Sequence, residues 1–351
     1  MRGAFIMTAT EKLEFNSTQP YSRYVDPAVF KEEREKIFSK NWIFIGHASQ
    51  LAKPGDFLTM DVAGEPIIVT HDKDGELRAF YNICPHRGMK VEQKDQGNKK
   101  ILQCKYHGWT FKLDGSVNRA PNFKTTELGA HSCMKSVRLE VHHSLVFVNL
   151  DEQAPSMSEA YQEFLGEMAK FSFFDSVKLI RETRRVVKAN WKAVVDNYLE
   201  CDHCAIAHPG FAKSYDLSNF CTTAHDKFTH QYMAASKGAD ESELARFYWI
   251  WPNMMINVYP GDGNVNTIQV VPLDEGTSLG IYRDYSIDET ATAEKEEYFK
   301  FVDQVRLEDF ELVEELQKGL GSKAFANGIF SPTENAEEYF HQLVDAALKS
   351  E

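Results

Sequence analysis

The chain has 351 residues, of which 43% are apolar and 26% charged, and its net charge is -13. That length exceeds one ordinary compact core and predicts two domains. The acidic balance leaves no basic surplus to neutralise phosphates or an anionic bilayer, which excludes a general nucleic-acid binder and a membrane-surface protein. No apolar run approaches the roughly eighteen residues of a membrane span. The opening MRGAFIMTATEKLEF lacks an apolar h-region with a small-residue cleavage site, so no signal peptide is expected. Met7 is a second candidate start, and the cytoplasm is the expected location. Six cysteines are few, and their spacing predicts no disulfide framework.

Residues 22–40 predict a helix. Asp26 can cap it, Pro27 suits its first position, and Val29, Phe30, Ile37 and Phe38 make an apolar stripe. From Trp42 the pattern changes to short β-rich runs: WIFIGHA, DFLTMDV, EPIIVTHD, LRAFYNI, ILQCKYH, WTFKLD and SLVFVNL. Asp74-Gly75 and Asp114-Gly115 are hairpin signals among them. Residues 41–152 therefore predict an all-β domain. The polar segment 151–160, with Pro155, reads as a linker into a second domain over 153–351. That domain is mixed. Helical patterns cover 158–171 and 190–205, strand-like runs follow at MMINVYP, TIQVVPL and SLGIYRDYSI, and helices close the chain at 292–319 and 334–348. The expected class is α+β: an all-β domain, then a mixed antiparallel sheet and helix domain, with 1–40 as a helical arm packing on the latter. There is no internal repeat.

Two constellations carry chemistry. The first is Cys84-Pro85-His86, then seventeen residues, then Cys104-Lys105-Tyr106-His107. Each pair sits at the tip of an expected hairpin, and Gly88 and Gly108 let the backbone turn tightly and present its amides. Two Cys and two His suit a structural zinc ion or a Rieske 2Fe-2S centre, with thiolates on one iron and imidazoles on the other. Zinc fingers place the second pair, both His, on a helix; mixed pairs on loops fit the Rieske centre better.

The second lies in NWKAVVDNYLECDHCAIAHPGF, 190–211. Glu200 and His203 are three residues apart and would share a helical face. His203 and His208 are five apart, about 140° on an ideal helix, and converge only if the helix breaks. Pro209-Gly210 offers such a break. A third ligand could come from Glu308, Asp309, Glu311, Glu314 or Glu315 in a later helix. Two His and one carboxylate on one face of iron leave positions open for O2 and substrate. The alternatives are a buried His203 with His208 merely near a turn, or a Cys201-x-x-Cys204 pair binding zinc or doing redox work.

The loops CPHRG and CKYHGW resemble those of Rieske-type non-haem iron oxygenases, and the resemblance runs from about residue 20 to 345. It implies that Cys84 and Cys104 bind one iron of the cluster, and His86 and His107 the other. Tyr106 then stands where it can hydrogen-bond to the cluster from beyond its ligands. It implies His203, His208 and Asp309 as ligands of a mononuclear Fe(II), and Glu200 as the acidic bridge between the cluster of one subunit and the iron of its neighbour. Many members have Asp there; the Glu-Cys-x-His-Cys form resembles the branch that oxidises carnitine, choline or glycine betaine. The residue before the first His is often Tyr in the family and is Asp202 here.

The resemblance further implies a homotrimer fed by a separate flavin and iron-sulfur reductase, with NAD(P)H used only through that partner. The chain itself carries no flavin or nicotinamide fingerprint. For a quaternary ammonium substrate, Tyr248, Trp249, Trp251 and Tyr259 are candidate cation–π contacts, though strand aromatics more often serve a core. An aromatic-ring-hydroxylating alpha subunit is the alternative reading.

Overall fold

The computed structural model describes residues 17–124, 128–234, 243–261, 263–288 and 292–350. Met7 and the first part of the expected arm lie outside these. The chain enters through a 3-10 turn at Tyr21–Tyr24 and helix α1, Pro27–Glu33. Asp26 caps α1 by accepting the Ala28 N–H at 2.8 Å, and Pro27 fills the first position, whose N–H a helix leaves unused. The expected helix is shorter than 22–40, because from Arg34 to Phe38 it widens into a π turn.

Ten strands follow: β1 Ile43–His47, β2 Asp56–Val62, β3 Glu65–His71, β4 Leu77–Tyr81, β5 Gln96–Asn98, β6 Leu102–Gln103, β7 Thr110–Phe111, β8 Val117–Arg119, β9 Ser136–His142 and β10 Leu145–Asn149. Seven form one sheet in the order β1-β10-β9-β4-β3-β2-β5, and β6, β7 and β8 form a small one. Gly75 (φ 91°) and Gly115 (φ 79°) occupy the left-handed region at the two anticipated hairpin turns. Strands β5, β8 and β9 were not anticipated, since β5 and β8 are short and polar and β9 is only half-buried.

Ser156 and Glu159 form a capping box that starts α2, Met157–Ala160, which leads into α3, Gln162–Met168. The rest comprises β11 Lys178–Val187, α4 Trp191–Leu199, α5 Cys204–Ala207, α6 Pro209–Ser214, β12 Cys221–His225, β13 Phe228–Ala234, β14 Leu244–Ile250, β15 Met254–Val258, β16 Val265–Asp274, β17 Thr277–Ser286, α7 Ala293–Leu320 and α8 Asn335–Lys349. The sheet order is β11-β17-β16-β15-β14-β13-β12, antiparallel throughout. Among the described residues no helix is long and apolar enough to cross a membrane. The α+β expectation holds.

One apolar core joins the two sheets. Phe38, Ile43, Ile45, Met60, Val69 and Val148 pack with Trp191, Val195, Trp249, Trp251 and Phe340. Phe38 meets Trp191 edge-on at 4.9 Å between ring centroids, and Trp191 is fully buried. Truncating such a side chain costs about 3–5 kcal/mol. Arg283 on β17 donates to the Ile45 carbonyl at 3.1 Å, which ties the sheets through β1 as well. Helix α4 is thus fixed on its buried face before it reaches the site at its end.

Candidate metal centres

The two Cys-x-His loops are built alike. The Cys84 N–H donates to the Met89 carbonyl at 2.8 Å, and the Cys104 N–H to that of Trp109 at 2.8 Å. Gly88 (φ 74°) and Gly108 (φ 72°) make the left-handed step that each closure needs, and each donates its N–H back to the cysteine carbonyl. Cys84 and Cys104 are buried with their thiols in contact. Burial pushes the Cys84 thiol up, while the amides of His86 and Arg87 act to lower it. The His86 and His107 rings lie 4.7 Å apart, and Trp109 stacks on His86 at 5.1 Å. The Nδ1 of His86 is buried and finds no hydrogen-bond partner. An unpartnered buried imidazole nitrogen beside a second imidazole and two buried thiols is a donor set that fits a Rieske cluster. Tyr106 is exposed, and its ring lies against that of His107 at 3.8 Å between centroids.

The second constellation depends on a break. Helix α4 stops at Leu199 rather than running to 205, because Glu200 is extended (φ -126°, ψ 171°). Its carboxylate turns forward and accepts the His203 N–H at 3.2 Å. His203 precedes the single-turn helix α5, and His208 follows it, immediately before Pro209 opens α6. Two histidines that would diverge on one helix instead face each other, with their Nε2 atoms 3.1 Å apart. Asp309, mid-way along α7, brings Oδ1 to 3.0 Å from the Nε2 of His208 and 3.5 Å from that of His203. The candidate ligand atoms of His203, His208 and Asp309 all lie within 4.8 Å of one another. Of the other acids considered on α7, Glu308 reaches the far nitrogen of His208, and Glu311, Glu314 and Glu315 do not join the ligand group.

Each imidazole is held from behind by a carboxylate. Glu200 binds the Nδ1 of His203, and Glu308 binds the Nδ1 of His208 at 2.8 Å. Such partners fix the tautomer, leaving both Nε2 lone pairs directed at the shared point. The supporting role of Glu308 was missed. Its adjacency to Asp309 was the available signal, but only the helix phase of α7 shows which nitrogen it meets.

The electrostatics ask for a cation. Burial lowers the His203 pKa, but Asp309 and Glu200 outweigh it and raise it to about 9. Burial raises that of Asp309, but His203 and His208 hold it below the usual carboxylate range. A divalent metal supplies the same positive charge that protons supply otherwise. Two imidazoles and one carboxylate with open space beyond match an iron site with free positions.

That space is a cavity of about 710 Å³, including its open mouth. Tyr198, Phe211, Phe247, Tyr259 and Phe301 are among its walls, with Gln231, Asn257 and Asn266 as polar contacts. Of the four candidate aromatics only Tyr259 lines the cavity, and Tyr248, Trp249 and Trp251 serve the core, as strand aromatics more often do. Tyr248 is on the opposite face of β14, stacked on His230 at 4.6 Å, and the two tryptophans pack around Phe340 in the core. Cys201 and Cys204 also line the cavity and are bonded to each other, which removes them as a zinc pair. Asp202 points away and accepts from the hydroxyls of Ser331 (3.0 Å) and Thr333 (2.7 Å).

Comparison with known proteins agrees with both centres. Residues 41–138 match the Rieske [2Fe-2S] domain, and residues 174–350 match the ring hydroxylating alpha subunit catalytic domain. A carnitine monooxygenase oxygenase subunit of Acinetobacter pittii is 37% identical over 339 residues, 91% of each chain. A chloroplastic choline monooxygenase of Arabidopsis thaliana is 28% identical, over 96% of this chain and 84% of that protein. The crystal structure of the quaternary ammonium Rieske monooxygenase CntA with L-carnitine superposes with a TM-score of 0.87 at 34% identity, covering 96% of this chain and 97% of that one. The chain belongs to the Rieske oxygenase family, as an oxygenase subunit that joins an iron-sulfur domain to a non-haem iron catalytic domain.

Proposed function

We propose that this chain is the terminal oxygenase of a multicomponent monooxygenase that hydroxylates, or cleaves at C–N, a small quaternary ammonium compound of the carnitine, choline or betaine class. The observation that carries the reading is the convergence of His203, His208 and Asp309 at an aromatic-walled cavity. Aromatic faces attract a permanently charged ammonium through their quadrupoles, and no proton is needed to hold it. The named activities of the carnitine and choline monooxygenases point the same way.

In this reading Cys84 and Cys104 hold one iron of the cluster and His86 and His107 the other, while His203, His208 and Asp309 hold the mononuclear iron. When bound, these groups supply single-electron relay and O2 activation. The chain's own part is geometric. Glu200 and Glu308 fix the imidazoles, Tyr198, Phe247 and Tyr259 seat the cation, and the apolar walls exclude water from the reacting carbon. The working boundaries are an arm at 1–40, a cluster domain at 41–152 and an iron domain at 153–351.

Glu200 further serves as the bridge to a second subunit in a homotrimer. His107 is exposed at a loop tip that carries Lys105, with Arg87 of the facing loop acting on it, while Glu200 adjoins the acid Asp202, so the charges beside the two groups are opposite. A separate flavin and iron-sulfur reductase delivers electrons from NAD(P)H, in the cytoplasm.

The test is O2 uptake by the iron-replete chain with a reductase and NADH, offered carnitine, choline, glycine betaine or an aromatic acid. Turnover of an ammonium compound with release of a tertiary amine or a hydroxylated product is expected. Turnover of the aromatic acid alone would return the chain to ring hydroxylation. Absence of acid-labile sulfide would remove the oxygenase reading altogether.

A further inference from the structure

The disulfide between Cys201 and Cys204 encloses only Asp202 and His203. It begins one residue after Glu200 and ends on the first residue of α5. Both cysteines line the cavity that contains His203, His208 and Asp309. Cys204 is buried, Cys201 half-buried and Asp202 exposed, so the bridge stands where the cavity wall meets solvent. Cys84, Cys104, Cys133 and Cys221 are free, so the bond is peculiar to this turn.

The turn is also fixed by hydrogen bonds: the His203 carbonyl accepts the N–H groups of Ile206 and Ala207 at 2.9 Å each, and the Glu200 carboxylate accepts those of Asp202 and His203. Helix α5 has four residues, closed by the His208 N–H donating to the Cys204 carbonyl at 3.0 Å. The Cys204 N–H donates to the Cys201 carbonyl at 3.1 Å. Outside the turn, His203 is held by Glu200, and Asp202 is held by Ser331 and Thr333. The covalent clamp across His203 adds to these bonds in aiming its Nε2 at the other two ligands.

We propose that Cys201 and Cys204 form a reversible redox site that a small dithiol reductant opens and a peroxide recloses, and that the closed form holds His203 in its metal-binding orientation. On opening, the S–S bond takes two electrons and two protons from the dithiol, which becomes a disulfide. On closing, the two thiols give two electrons and two protons to the peroxide, which leaves as two molecules of water when it is hydrogen peroxide. The open form releases the covalent constraint across His203, so it loosens the grip on iron. A disulfide in a reducing compartment persists mainly where it is transient and responsive, which suits this position. The metal half of the proposal rests on the mononuclear iron assigned above.

The experiment uses anaerobically prepared holoenzyme. Cysteines are alkylated with iodoacetamide before dithiothreitol, after it, and after hydrogen peroxide added to the reduced, desalted protein, and the peptides are weighed. In parallel, iron release to a ferrous chelator is timed in the closed and opened protein and in the C201S/C204S variant given the same dithiothreitol. The peptide carrying 201–204 should resist alkylation at first, gain two labels after reduction and lose that reactivity after peroxide. Release of the mononuclear iron should speed up about tenfold or more on opening, the scale of lost support around a ligand. The variant should release iron quickly with or without dithiothreitol. Full alkylation of both cysteines without reductant and after peroxide overturns the redox site, and does so even if the variant fails to fold. A bridge that opens with no change in iron release overturns the control of His203. A bridge that opens and closes in a chain holding no mononuclear iron overturns the functional reading above and the metal half of this proposal with it.

Discussion

Glu308 and His208 are joined at 2.8 Å, carboxylate to Nδ1, while the next residue of the same helix, Asp309, stands 3.0 Å from the Nε2 of that imidazole. Two consecutive acids thus take the two nitrogens of one ring, one as its support and the other as its fellow ligand. Glu308→Gln should keep His203, His208 and Asp309 in place but weaken the hold on the ring's tautomer and basicity. Iron affinity of the mononuclear site should fall about 10–100-fold, with the visible spectrum of the cluster unchanged. Equilibrium iron titration checks this; an unaltered affinity would make Glu308 a surface acid that merely lies close.

The arm before β1 is anchored under the site by charge. Lys192 and Glu33 are both fully buried and paired, and the Nε1–H of Trp191 donates to the other Glu33 oxygen at 2.8 Å. Burial lowers the Lys192 pKa and Glu33 opposes that. Glu33→Ala leaves a buried ammonium without its ion-pair partner, held only by the Arg23 carbonyl at 2.8 Å, and should cost about 3–5 kcal/mol, read by denaturant unfolding. The double change Glu33→Leu with Lys192→Met should recover most of it, because no lone charge remains. If the single variant lost nothing, the pair would have no structural weight.

Glu337 faces Asp196, Glu334, Glu200 and Asp202 from α8, and one of its oxygens is buried without a partner. Burial first, then those carboxylates, push its pKa from 4.5 to about 10. A carboxyl raised by folding binds its proton more tightly folded than unfolded. Its contribution is therefore complete below the unfolded value and is lost as pH rises toward the folded one. Glu337→Gln keeps the neutral form at every pH. The variant should match the wild type in stability near pH 4 and exceed it near pH 8, by a gap on the order of 1–3 kcal/mol. Unfolding free energies measured at both pH values test the sign, and a gap that widened toward acid would refute it.

Tyr259 offers its ring to the cavity, packed at right angles to Phe247 with centroids 5.8 Å apart. Tyr259→Leu removes a π face and keeps an apolar wall. For a quaternary ammonium substrate the Michaelis constant should rise by roughly 2- to 30-fold, the range of about 0.5–2 kcal/mol for such a contact. The neutral carbon isostere, with a tert-butyl group in place of trimethylammonium, should compete equally well against both proteins. Equal losses for cation and isostere would show that the residue contributes shape alone.

Local signals carried the cluster site almost whole. The mixed Cys and His pairs, the glycines at 88 and 108 and the hairpin dipeptides all act within a few residues, and the backbone conformations they require are found. The cap at Asp26, the long helix α7 and the α+β class followed for the same reason. Strand β11, by contrast, reads KLIRETRRVV, and no alternation marks it as a sheet edge. Its Arg181 is satisfied by Asp284 and Asp303, partners more than a hundred residues away. The break at Glu200, the support from Glu308, the bond between Cys201 and Cys204 and the acid-lined pocket of Glu337 likewise depend on neighbours that the chain brings near only on folding. Sequence alone determined which residue types were available for metal chemistry and where the backbone could turn, because those properties belong to short segments. The tertiary structure decided which acid meets which imidazole nitrogen and which aromatics face the cavity, because helix phase and strand facing are set by packing between distant elements.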